Sequence, residues 1–137
     1  MNVITRALEF LLRAEVLRER RVDGVWLFGS HARGQADPRS DLDLAILCDP
    51  PLRFSERTAL MDDTGRAVLL DIDLVDLRTA HPALTWEVIT TGRLIYEAHE
   101  EAIEKFVRQA RYAAEDVAQR DRMVLLAHVG SVGGRSR

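Results

Sequence analysis

The 137-residue sequence contains a single cysteine, Cys48. That excludes an intramolecular disulfide and any cysteine-based zinc cluster, and it suits a reducing compartment. No apolar run approaches the ~20 residues needed to cross a bilayer, and the opening residues carry too many charges for a secretory signal. The sequence therefore reads as a soluble cytoplasmic protein with no membrane partner. It also lacks a basic excess: 19 lysines and arginines stand against 22 aspartates and glutamates, a formal net charge of −3. Broad electrostatic binding to nucleic acid needs such an excess. No cluster interleaves aromatic and basic residues into a template channel, so no direct nucleic-acid partner is expected. Repeats and internal linkers are missing too. With 47% hydrophobic residues the chain can build one ordinary core. We expect a single domain over residues 1–129 and a disordered glycine-rich tail at 130–137.

What is present alternates between helical and strand patterns. Ile4, Leu8, Leu11, Leu12 and Val16 recur at helical spacing. Asp23-Gly24 is a turn signal, and the apolar run Val25–Phe28, with Trp26 in its core, is a buried strand. Asp41–Leu47 is a second strand, stopped by Asp49-Pro50-Pro51. Ser55 is placed to cap a helix over Glu56–Val68, with Leu60, Met61, Thr64, Ala67 and Val68 inward. Leu69–Leu77 alternates cleanly and predicts a third strand, with Asp71 and Asp73 on one face. Pro82 opens a helix that ends at Gly92. Leu94–Tyr96 is an edge strand. From Glu100 to about His128 runs a long helix, with a possible break at Arg120-Asp121-Arg122. Its stripe of Ile103, Phe106, Val107, Ala110, Ala114, Val117, Val124 and Leu125 serves either as core or as a partner-docking face.

The chemistry concentrates between Val25 and Leu47. The first strand ends abruptly at Gly29-Ser30, where a glycine turn frees backbone N–H groups for an anion and Ser30 adds a hydroxyl. Asp41 and Asp43 follow on the second strand and point the same way. Two such carboxylates repel each other unless a cation lies between them. A third acid, Asp73 or Asp71, comes from the third strand. Each feature alone is weak. Together they place a divalent-metal site beside a phosphate cradle, which points to nucleotide chemistry. Asp76 falls on the opposite face and is read as structural or solvent-exposed. His31 either touches a phosphate or faces solvent. His81, His99 and His128 have no ligand spacing and are assigned to the surface. Tyr112 and Asp116 lie one helical turn apart and can pair locally.

GSHARGQADPRSDLDLAI resembles the signature of the DNA polymerase beta-like nucleotidyltransferases, G-S-x(7–13)-D-x-[DE]. PRSDLDLAIL, IDLVDL, TTGRLIYE and a closing helix make the chain similar, more narrowly, to the minimal nucleotidyltransferases, the MntA-like antitoxins paired with HEPN-domain toxins. The resemblance implies an α+β nucleotidyltransferase fold: a small mixed β-sheet flanked by helices, with a C-terminal helix. It implies an adenylyltransferase that moves AMP from ATP to a hydroxyl, tyrosine foremost, on a cognate HEPN ribonuclease, as a type VII-like antitoxin in a hetero-oligomer with that toxin. Two Mg²⁺ ions would be held by Asp41, Asp43 and Asp73, with Asp71 as the alternative third ligand. Gly29 and Ser30 would hold the β- and γ-phosphates, and Arg33 would offset charge on the departing pyrophosphate. Two other readings share these residues: a small-molecule, aminoglycoside-type nucleotidyltransferase, and a non-catalytic antitoxin that masks its toxin by binding.

Overall fold

A computed structural model describes the backbone of residues 1–135 and the side chains of residues 1–127. The tail expected at 130–137 falls outside the residues whose side chains are described. Asn2 starts the first helix. Its side-chain oxygen accepts from the Thr5 N–H at 2.8 Å, which satisfies one of the orphan donors of a helix start. α1, Val3–Leu12, turns Ala7 and Leu11 inward. A 3-10 turn at Glu15–Leu17 leads into β1, Arg21–Phe28. The strand thus begins well before Val25. Asp23-Gly24, which reads as a turn, lies inside it at a shift of register between Val22 and Gly24. A bulge answers to the same residue types as a turn.

α2, Gly29–Ala32, is one short turn of helix. β2, Leu42–Asp49, pairs antiparallel with β1, so that Arg21 faces Asp49 at one end and Phe28 faces Asp43 at the other. α3 spans Phe54–Val68. Its cap is Arg53 rather than Ser55. The Arg53 N–H donates to Glu56 Oε1 at 2.9 Å, which is the returning half of a capping box. Leu60, Thr64 and Val68 are buried as expected, but Ala67 is exposed. β3 is Ile72–Asp76, shorter than the alternation suggests, because Leu69 instead terminates α3 in the left-handed region at φ 58°. α4, Pro82–Thr91, opens on proline and stops at Gly92, with His81 Nδ1 accepting from the Ala83 N–H at 3.1 Å as its cap. β4 is Arg93–Glu97. α5, Glu100–Arg135, runs through Arg120-Asp121-Arg122 without a break. Arg120 pairs with Asp116 at 2.8 Å one turn earlier, which supports the helix there, and Tyr112 is exposed.

The four strands lie in the order β3-β2-β1-β4, with β2 and β3 parallel and the other pairs antiparallel. α1 and α3 cover one face, burying Leu27, Leu42, Leu44, Ile46 and Leu74. α4 and the first half of α5 cover the other, over Trp26, Ala45, Leu47, Val75 and Leu77. Truncating one such fully buried leucine to alanine costs about 2–5 kcal/mol. The α5 stripe divides: Ile103, Phe106 and Ala110 are core, whereas Met123, Val124, Leu125 and Leu126 are exposed. Among the described residues no helix is long and apolar enough to cross a membrane.

Candidate active site

Alternation sends Leu42, Leu44 and Ile46 of β2 toward α1 and α3, so Asp43 goes to the opposite face, beyond the end of the layer formed by α4 and α5. The parallel pairing of β2 with β3 sets Asp73 directly beside Asp43. Asp41 stands just before β2 and is exposed, as are Asp71 and Asp73, while Asp43 is half-buried. Asp71 lies outside β3; its carbonyl accepts from the Leu42 N–H at 2.9 Å. The register therefore brings Asp73, rather than Asp71, level with Asp43. Asp76, by contrast, is buried and serves the fold: its carboxylate accepts from the Leu52 N–H at 2.8 Å and the Arg78 N–H at 3.0 Å.

Gly29 ends β1 with φ 71°. A Cβ there would collide with the Asp43 carboxylate, whose Cγ would lie 2.9 Å away. Only glycine allows the backbone to come this close while turning left-handed. The turn starts α2, and a helix start leaves N–H groups without intrahelical partners. The Gln35 N–H returns to the Ser30 carbonyl at 3.0 Å, closing α2 through Gly34, whose φ is 68°. His31 donates from Nε2 to the Ser40 carbonyl at 3.3 Å. It thus ties α2 to the segment that delivers Asp41, a positioning role that the sequence does not signal. Arg33 is exposed and reaches Gln35 Oε1 from Nε at 3.3 Å.

Burial pushes the Asp43 carboxyl above its ordinary value, and the charges of Asp73 and Asp41 push it further; His31 and Arg33 oppose them. The three candidate ligands are all hard oxygen donors, the type Mg²⁺ prefers, and a divalent cation among them would relieve that repulsion. In this respect they fit the metal. As they stand, no three metal-ligating side chains among the described residues are close enough to enclose an ion.

The other end of the β1–β2 ladder holds a second charged cluster that the sequence reading missed. Asp23 is fully buried and accepts from Arg21 Nε at 2.7 Å, with the His99 ring nitrogen at 3.1 Å and Arg78 at 3.5 Å from its carboxylate. His99 is exposed, as expected, and its ring also faces this buried carboxylate. Cys48, buried in β2, has its thiol pushed up to about 11 by desolvation, which makes it inert.

The family model for polymerase beta nucleotidyltransferases matches residues 13–101, and the chain belongs to that family. It is similar to the protein adenylyltransferase MntA of Shewanella oneidensis, with 36% identity over 72 residues, 53% of this chain and 52% of that protein. It is also similar to a probable protein adenylyltransferase MntA of Haemophilus influenzae, with 35% identity over 82 residues, 59% of this chain and 71% of that one. The match spans about half the length of the first of these relatives. Among solved structures, a crystal structure of a toxin-antitoxin with AMP-PNP superposes with a TM-score of 0.77 and 27% identity, over 94% of this chain and 98% of that chain.

Proposed function

We propose that this protein is an adenylyltransferase that moves AMP from ATP to a hydroxyl, tyrosine foremost, of a HEPN ribonuclease toxin, and so acts as that toxin's antitoxin within a hetero-oligomer in the cytoplasm. The observation that carries the reading is the level pairing of Asp43 with Asp73 beside the Gly29 bend. Membership of the nucleotidyltransferase family supports the reaction class. Similarity to the adenylyltransferases and to a toxin-antitoxin structure supports the acceptor. After β4 the described residues form one helix, α5, whose distal half exposes apolar residues suited to a protein partner.

In this reading Gly29 and Ser30 hold the β- and γ-phosphates through backbone N–H groups and the serine hydroxyl. Arg33 meets the charge that develops on the leaving group. Asp41, Asp43 and Asp73 would hold two Mg²⁺ ions, which when bound neutralise the phosphates and favour in-line displacement. The acceptor oxygen forms a bond to the α-phosphorus. The bond from that phosphorus to the bridging oxygen breaks, and pyrophosphate leaves with the electron pair. The hydroxyl proton passes to the Asp73 carboxylate and then to water. The test is incubation with ATP, Mg²⁺ and the cognate HEPN protein, read by intact mass. A gain of AMP mass is the expected result. ATP binding without any AMP on the partner sinks the reading.

A further inference from the structure

A cavity of about 820 Å³ opens between the last turn of α3 and the start of β3. It lies beside the carboxylates rather than over them, with Asp71 and Ile72, the two residues before Asp73, in its wall. Met61, Leu69 and Leu70 supply apolar surface, and the charges of Arg39 and Arg66 are balanced by Asp62 and Asp71. That balance suits a polypeptide segment and not a polyanion such as nucleic acid.

Two observations point to an occupant. The first is sheet order. Gly29 closes β1, Asp43 sits on β2 and Asp73 on β3, so the site crosses the sheet from phosphate cradle to third acid. In-line displacement needs the entering and leaving oxygens on opposite sides of phosphorus. With the triphosphate tail at Gly29, the acceptor enters from the β3 side, which is the side of the cavity. The second is Leu69. It is 86% exposed and left-handed, with φ 58°. Helix ends of this kind ordinarily carry glycine or asparagine, because a Cβ is crowded there. A leucine is therefore unfavourable in both conformation and solvation. The fold gains nothing from its side chain, since α3 is already anchored by Leu60, Thr64 and Val68. Covering Leu69 with a partner removes the solvation cost.

We propose that this cavity seats the hydroxyl-bearing segment of the partner protein, with Leu69 as its apolar anchor and Arg66 at its rim. The proposal rests on the adenylyltransferase reading above. Its test is the Leu69→Asn protein, as the full chain with ATP, Mg²⁺ and the cognate HEPN partner. Asparagine accepts the left-handed backbone, so the melting temperature holds or rises. The KM for the partner rises at least about tenfold, as expected from losing a buried leucine contact. The kcat and the ATP affinity stay within about twofold. Arg66→Glu, on an exposed side chain, raises the same KM without touching ATP binding. Unchanged KM values in both variants overturn the proposal and leave the adenylyltransferase reading intact. Failure of the unsubstituted protein to modify its partner while binding ATP overturns both.

Discussion

The β1–β2 ladder carries acidic side chains at both ends and treats them in opposite ways. At one end Asp23 is buried, yet Arg21, His99 and Arg78 surround it, and its backbone carbonyl accepts from the N–H groups of Ala98 and His99 that lead into α5. At the other end burial, with the charges of Asp73 and Asp41 added to it, holds the Asp43 carboxyl high, and the opposing His31 and Arg33 do not cancel them. Like charges left uncompensated destabilise a fold unless something outside the chain balances them. Acids alone do not distinguish a site from a staple; the cations supplied with them do.

Three substitutions sharpen or break that contrast. Asp73→Asn removes a side chain from the uncompensated end without disturbing packing, since Asp73 is exposed. The kcat for AMP transfer, measured by intact mass against time, falls by about 10²- to 10⁴-fold, with no loss in melting temperature. Asp23→Ala does the reverse. It takes a fully buried carboxylate from between its cations, and urea unfolding records a loss of about 2–3 kcal/mol, below the full cost of breaking a buried pair because Arg21 and His99 can turn to water. The transfer rate of the folded fraction is unchanged. A drop in transfer with stability intact would place Asp23 in the chemistry and end the contrast.

The smallest effect is on stability at Asp43. Its carboxyl is raised in the folded state, so ionisation opposes folding. The penalty is absent in acid, where the group is protonated in both states. It grows as pH climbs from the unfolded value of about 4 through the folded value, and is complete above that. Asp43→Asn, assayed without metal or nucleotide, is therefore more stable than the native chain at neutral pH, and its advantage widens between acid and neutral pH. A gap that narrows as pH rises would show that Asp43 is stabilised as a carboxylate.

The sequence carried the uncompensated end better than the compensated one, for a physical reason. Asp41, Asp43 and Asp73 announce themselves through strand alternation and a glycine stop, both of which are local patterns. Asp23 owes its role to residues far along the chain, Arg78 and His99, and locally its Asp-Gly pair looks like any turn. The end of α3 was misread in the same way. LLDIDLVDL alternates through Leu69, but the helix overruns into that position and ends there in the left-handed region. Alternation reports which side chains share a face, not where hydrogen bonding passes from helix to strand. The division of α5 into a packed half and an exposed half follows from the length of the sheet beneath it, which periodicity along one helix does not encode.

The outer margin of β3 is closed by α3. The Leu74 N–H rests on Met61 Sδ at 3.4 Å, and the Leu74 carbonyl accepts from Arg57 Nη1 at 2.9 Å. Two side chains thereby occupy the slots that an incoming fifth strand would have to claim. Growth of the sheet in that direction is blocked, so copies of the chain cannot zip together along it. Any visitor arriving from that flank must be recognised by its side chains and shape, not by lending backbone to a shared ladder.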